Sequence, residues 1–252
     1  MVELYGHDAY SPEQIAARIE GTGVVKARLP LVKMAALGVL AGGFIGLGAM
    51  FYTIVTADPF FGFALLRLLG GVVFSLGLIL VVVAGGRIST RLLLRNFSVV
   101  FLANAAGAIG LAWLVSLSGP DEWIRSTAVK IATTKVSLGF AEAFFRGALC
   151  SVLVCLAVWL AMAGRSVTGK IVAIVLPIAA FVAAGFEHSI ANLYFDPLGL
   201  FLGGDGLTWT AFLANNLLPV TLGNLLGGAG MVGLVYHVIY RRGPRGGGGG
   251  PP

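Results

Sequence analysis

The chain has 252 residues, 58% of them hydrophobic and only 11% charged, with a formal net charge of +6. An ordinary soluble domain is about 25% charged, so this composition, with a mean hydropathy of +0.93, excludes a water-soluble globule and points to an integral membrane protein. The basic residues cluster at the edges of apolar runs, which reads as membrane topology and not as nucleic-acid binding.

Residues 1–30 lack the apolar core of a signal peptide. Ser11-Pro12-Glu13-Gln14 instead has the pattern of a capped helix start, with Ser at N-cap, Pro at N1 and Gln at N3. Ile15, Ala16 and Ile19 then give a short apolar stripe, so an amphipathic helix on the cytoplasmic face is expected, peripheral and mobile. Six apolar runs follow, at about 31–54, 62–85, 96–118, 138–163, 170–193 and 211–240. Each reaches the roughly 20 residues a spanning helix needs. Only helices satisfy every backbone group of such segments in lipid. Residues 31–240 are therefore read as an all-α transmembrane domain. The Gly-rich stretch 241–252 reads as a disordered cytoplasmic tail.

Orientation follows from the short connections. Arg87, Arg91 and Arg95 lie in the second, Arg165 and Lys170 in the fourth, and Arg241, Arg242 and Arg245 in the tail, with no acid among them. The first connection offers only Asp58, the fifth only Asp196 and Asp205, and the third is mixed. The even connections and both termini are thus expected in the cytoplasm. A short internal echo, Leu102-Ala103-Asn104-Ala105-Ala106-Gly107 against Leu222-Gly223-Asn224-Leu225-Leu226-Gly227, falls in the third span of each half. Three spans per half make the halves run in opposite directions, the inverted 3+3 repeat of transporters and channels.

Ionisable residues inside the spans are few: Arg67 near an end, Glu142, Arg146, Glu187 and His188, with Lys135 at a boundary. Such groups usually face a bundle interior or an aqueous path. Glu142 and Arg146 are spaced to pair on one helix face, either structurally or as part of a path. Pro177 and Gly185 favour a break in the fifth span. His188 reads either as a buried structural histidine or as a titratable pore group. On an unbroken helix, Glu187 would point about 100° away from it, and Phe181 would sit two turns below on its face. Asn104, Asn192 and Asn224 are embedded amides whose simplest role is interhelical bonding. Cys150 and Cys155 fall on different helix faces and read as small packing residues. No zinc or redox spacing is present, and no Gly-x-Ser-x-Gly or His-Glu-x-x-His motif, so no metal, cofactor or enzyme activity is expected.

Phe144-Phe145-Arg146-Gly147-Ala148-Leu149-Cys150 and Gly185-Phe186-Glu187-His188-Ser189-Ile190-Ala191-Asn192 closely resemble the formate/nitrite transporter family. So do Leu69-Gly70-Gly71, Phe74-Ser75-Leu76-Gly77-Leu78 and Asn216-Leu217-Leu218-Pro219-Val220-Thr221-Leu222-Gly223-Asn224, and the formate channels are matched best. The resemblance implies a homopentamer of the cell membrane with one aquaporin-like pore per protomer. It implies passage of formate or a similar small anion, linked to protons, with nitrite, hydrosulfide or lactate as alternatives. It assigns His188 as the central pore histidine, Phe181 as a cytoplasmic-side constriction, and Phe74 with Leu78 as the other constriction. Lys135 becomes the vestibule lysine, Glu187 its partner, and Asn224 the amide contacting the histidine. Asn192 joins the same site, and Lys26 falls on a family position tied to gating. Ser151 departs from the family, which usually has Asn there. A larger departure follows Gly86: the family's pore loop and half-helix, roughly 16 residues or about 24 Å if helical, are missing before Arg87. The second helix region is therefore expected to be shortened, leaving either a channel with a less selective pore or a non-conducting relative.

Overall fold

The computed structural model describes residues 9–27, 30–83 and 93–241. The expected tail and the shortened region beyond the second span lie outside them. The described chain is helical, with no strand. In order it forms α1 (Pro12–Ala27), α2 (Leu31–Thr56), α3 (Phe63–Val83), α4 (Leu93–Leu117), α5 (Glu122–Val136), α6 (Phe140–Ala163), α7 (Val167–Ala183) and α8 (Ser189–Phe201). Last comes α9, Trp209–Tyr240, one long helix with π-helical stretches at Phe212–Leu217 and Leu226–Leu234.

Among the described residues, five helices are long and apolar enough to cross a membrane: α2, α3, α4, α6 and α9. The fifth crossing is made by α7 and α8 together, with a break between them. Apolar side chains such as Leu102 and Leu176 stay well exposed on the outside, the surface a lipid-facing bundle requires. Two elements differ from the sequence expectation. The third connection is not a loop, because Glu122–Val136 is helical. Asp196 is not in the fifth connection, because it lies inside α8.

The inverted repeat is visible in the packing. In the first half α2 packs on both α3 and α4; in the second, α6 packs on both α7 and α9. The halves join where α3 meets α7 and α4 meets α8. The sequence echo has a physical basis in these pairs. A Cβ on Gly107 would overlap the carbonyl oxygen of Val39 on α2, and one on Gly227 would overlap that of Ala148 on α6. In each half the echoed glycine lets the third helix lie directly against the first, a small-residue contact suited to membranes.

The helix start at Ser11 forms as the sequence predicts. Ser11 N–H donates to Gln14 Oε1 at 3.0 Å, and Gln14 N–H donates back to Ser11 Oγ at 3.3 Å. Ile15 and Ala16 of the stripe are buried. The segment is also fastened: Tyr10 N–H donates to Ala163 O, and the Tyr10 ring receives the guanidinium groups of Arg18 and Arg165 at 4.0 and 4.5 Å. Its contacts thus reach the end of α6.

Candidate functional site: a basic vestibule at the broken helix

The break is built by recognisable local rules. Proline removes a backbone donor, yet α7 runs straight through Pro177. It ends instead at Gly185, whose φ is +72°. Gly185 N–H donates to Val182 O and Phe186 N–H to Phe181 O, the paired bonds of a Schellman ending that favours glycine. Two arginines then cover the carbonyl end of α7. Arg67 Nη1 donates to Val182 O at 3.3 Å, and Arg146 Nη1 to Gly185 O at 3.2 Å. Cations belong at the negative end of a helix dipole. Arg146 also keeps its pairing with Glu142, so the pair foreseen on α6 forms and serves the break as well.

His188 begins α8. Its Nδ1 accepts from Ala191 N–H at 3.3 Å, making the imidazole the N-cap. A neutral ring whose Nδ1 accepts carries its proton on Nε2. The backbone on both sides of His188 is held by one amide. Asn224 Oδ1 accepts from Ser189 N–H at 2.9 Å, while its Nδ2 donates to Glu187 O at 3.0 Å and Gly147 O at 2.8 Å. Asn224 therefore positions His188 through the main chain and not through its ring.

Glu187 turns the other way, into a buried polar cluster. Lys135 Nζ donates to both of its carboxylate oxygens, at 3.0 and 2.9 Å. Asn192 Nδ2 and Asn216 Nδ2 add bonds to Oε2 at 2.7 and 3.4 Å. The Lys135 and Glu187 side chains are only 14% and 5% exposed. Burial disfavours the ammonium of Lys135, which lies on α5 outside the spanning helices. The adjacent carboxylate outweighs that penalty, and the lysine pKa stands above its ordinary value. Asn192 Nδ2 also donates to Asn216 Oδ1 at 2.6 Å, and Asn216 Nδ2 reaches Lys135 O at 3.1 Å.

Lys135, Glu187, His188 and Asn192 line a cavity of about 330 Å³, and Asn216 and Asn224 stand behind them. Four cations face it, Arg67, Lys130, Lys135 and Arg146, against the single carboxylate of Glu187. Clefts lined by one sign of charge concentrate ions of the other. His188, Phe74 and Phe181 lie on the same wall. Phe181 stacks on His188 with centroids 6.2 Å apart, and Phe74 meets Phe181 edge to face at 5.6 Å. The sequence reading put Phe181 and Phe74 on opposite sides of the histidine; the structure joins them in one aromatic cluster beside it. It also puts Phe181 on the cavity shared with Thr56 and Phe63, which flank the first connection, and with α5. That is the side opposite the arginine-rich connections. Leu78, one turn beyond Phe74, is buried in the core and does not line the cavity. Lys26 falls within α1, but its side chain lies outside the described residues.

Arg67 and Arg146, read in sequence only as embedded ionisable groups facing an interior or an aqueous path, belong to the vestibule; sequence reasoning missed Lys130 there, and Asn216 as a member of the buried cluster. The adjacent amides Asn215-Asn216 in an apolar run were the available signal for the last.

Comparison with known proteins agrees with this architecture. The formate/nitrite transporter family model matches residues 13–91 and 85–238. The two stretches overlap at 85–91, where the resemblance implies a missing segment. A probable formate transporter of Methanothermobacter thermautotrophicus is 37% identical over 273 aligned positions, covering 93% of this chain and 98% of the relative. Formate channel FocA of Escherichia coli (strain K12) is 37% identical over 274 positions, covering 93% and 96%. Both alignments are longer than this chain, so each relative carries segments it does not have. Among solved structures, a pentameric formate channel with formate bound superposes with a TM-score of 0.77 at 35% identity, covering 83% of this chain and 97% of that one. An FNT family ion channel superposes with the same TM-score at 30% identity, covering 89% and 96%. With six crossings in two inverted halves, the fifth broken at His188, and relatives matched along nearly their whole length, this chain belongs to the formate/nitrite transporter family.

Proposed function

We propose that the protein is a homopentameric channel of the cell membrane that passes formate and similar small monovalent anions through one pore per protomer. The observation that carries this reading is the vestibule: four cations and one carboxylate above a histidine and two aromatic rings. By the arginine distribution the vestibule opens away from the cytoplasm, with both termini inside. Arg67, Lys130, Lys135 and Arg146 raise the local anion concentration. Glu187 holds Lys135 in place, so that its positive charge stays at the mouth of the site. An anion reaching the aromatic rings loses its water, which is costly unless a donor replaces it.

His188 is placed to be that donor. With Nδ1 accepting from Ala191 N–H, the neutral ring offers Nε2–H to a carboxylate. Charging the ring puts a proton on Nδ1 and ends the bond that starts α8. Protonation of His188 and the order of the helix beginning are therefore coupled, which supports a proton-linked mechanism. The nearness of Phe181 lets the aromatic rings sense that change.

A second reading, a folded but non-conducting relative, is favoured by the missing pore loop. Flux of labelled formate into proteoliposomes, with and without a pH gradient, separates the two. Saturable formate flux that increases with an inward proton gradient supports the channel. Tight, formate-impermeable vesicles containing assembled protein would establish the non-conducting relative.

A further inference from the structure

We infer that Asp196 carries a proton at neutral pH and donates it as a hydrogen bond toward Asn192, closing the far end of the polar chain that positions the vestibule lysine. The sequence reading places Asp196 in the fifth connection, yet it sits inside α8 and is 1% exposed. Neither of its carboxyl oxygens has a hydrogen-bond partner among the described residues. A buried, unpaired carboxylate is among the costliest groups a membrane interior can hold, and it is relieved by taking up a proton.

The acceptor for that proton lies on the same helix. Asn192 is one turn earlier, at the i, i+4 spacing that brings side chains together, and it is fully buried. Its Nδ2 is committed to Glu187 Oε2 and Asn216 Oδ1. Its Oδ1 has no donor. An ionised Asp196 would add two more acceptors beside an acceptor already unmatched. A protonated Asp196 supplies a donor for that oxygen, by rotation of the side chain or through a buried water.

Charge points the same way. The charged groups that act on Asp196 are Lys135 from α5 and Glu187 from the break. Tyr52 of α2 lines the adjoining cavity, and Tyr194 of α8 is buried nearby. α4 from Ser98 on, and α9 up to Val235, carry no ionisable residue. With Asp196 neutral, Lys135 and Glu187 balance. With Asp196 ionised, the wall behind the vestibule carries a net negative charge that opposes an arriving anion. Asp196 is thus a positioning residue: it orients the Asn192 amide, which orients Glu187, which holds Lys135.

Two measurements on the assembled full-length protein test this, the second resting on the proposed formate flux and the first independent of it. In infrared spectra, replacing Asp196 by Asn should remove a protonated-carboxyl stretch present throughout about pH 5 to 8, well above the ordinary aspartate range. Loss of a carboxylate stretch instead overturns the inference, whether or not the protein conducts. In proteoliposomes, Asp196→Asn, which keeps a donor for Asn192, should stay within about twofold of wild-type formate flux. Asp196→Leu, which keeps size but no donor, should raise the half-saturating formate concentration about tenfold, the equivalent of one lost hydrogen bond, with little change in maximal flux. Equal impairment of the two variants overturns the inference. If the Leu variant does not assemble, the infrared result and the Asn variant still decide.

Discussion

Lys135 and Glu187 give the sharpest quantitative test of the site. Both are buried, and the carboxylate accepts four hydrogen bonds, two from the lysine and two from amides. Breaking a buried ion pair from one side costs about 3–5 kcal/mol, because the survivor stays buried and uncompensated. Lys135→Met leaves Glu187 with the Asn192 and Asn216 amides, so its cost should lie near about 3 kcal/mol. Glu187→Gln leaves the ammonium without an acid and turns an amide NH₂ toward other donors, so its cost should approach about 5 kcal/mol. The double variant removes both charges and leaves only imperfectly matched amides, about 1–3 kcal/mol. The singles then sum to about 8 kcal/mol against about 1–3 for the double, so the coupling energy from denaturant unfolding in detergent should be about 5 kcal/mol or more. Single-variant losses that add to the double within about 0.5 kcal/mol would falsify the view that the pair is one buried electrostatic unit.

Other outcomes follow from the same geometry. His188→Phe should abolish net formate uptake while the oligomer stays assembled; unchanged uptake and an unchanged pH profile in proteoliposomes would remove His188 from the path. Lys135→Met should slow uptake more at low formate than at saturation, since attraction acts on local concentration; a uniform reduction at all concentrations would contradict that role. Gly227→Val should lose about 2 kcal/mol or more of stability, because its side chain would overlap the Ala148 carbonyl and force α6 and α9 apart; a melting temperature like wild type would show that the helices can yield. Deleting residues 1–25 should leave an assembled oligomer with altered gating, and Tyr10→Ala should partly reproduce it by releasing the contacts at Ala163 and Arg165; failure of either chain to assemble would make the segment structural.

The spans were legible because hydropathy and length report directly on lipid. The capped start at Ser11 was legible because it depends on residues three apart. What was illegible depended on tertiary context. The 122–136 segment is polar and mixed in charge, which resembles a loop, and its helix packs on α8 beside the polar cluster at the start of that helix. Asp196 follows the apolar run and precedes a proline, so it is read in the fifth connection, whereas Pro197 lies within α8 with the aspartate buried beside it. Phe181 and His188 were compared on an unbroken helix. The chain in fact reverses its dihedral at Gly185, so their stacking arises from a turn and not from helical periodicity. The Lys135–Glu187 pair, 52 positions apart, came from family resemblance; no local pattern links two such residues.

The unequal fates of two echoed asparagines have an engineering consequence. Asn224 spends its whole side chain stitching the interrupted fifth crossing. Asn104, its counterpart in the other half, keeps a buried Oδ1 with nothing to accept from. The inverted repeat equates Asn104 with that stitching amide, so its unmatched oxygen is where a second interruption would be expected to be stitched. A relative's loop spliced between Gly86 and Arg87 should graft without compensating changes elsewhere, and Asn104→Leu should cost the graft more than it costs the parent.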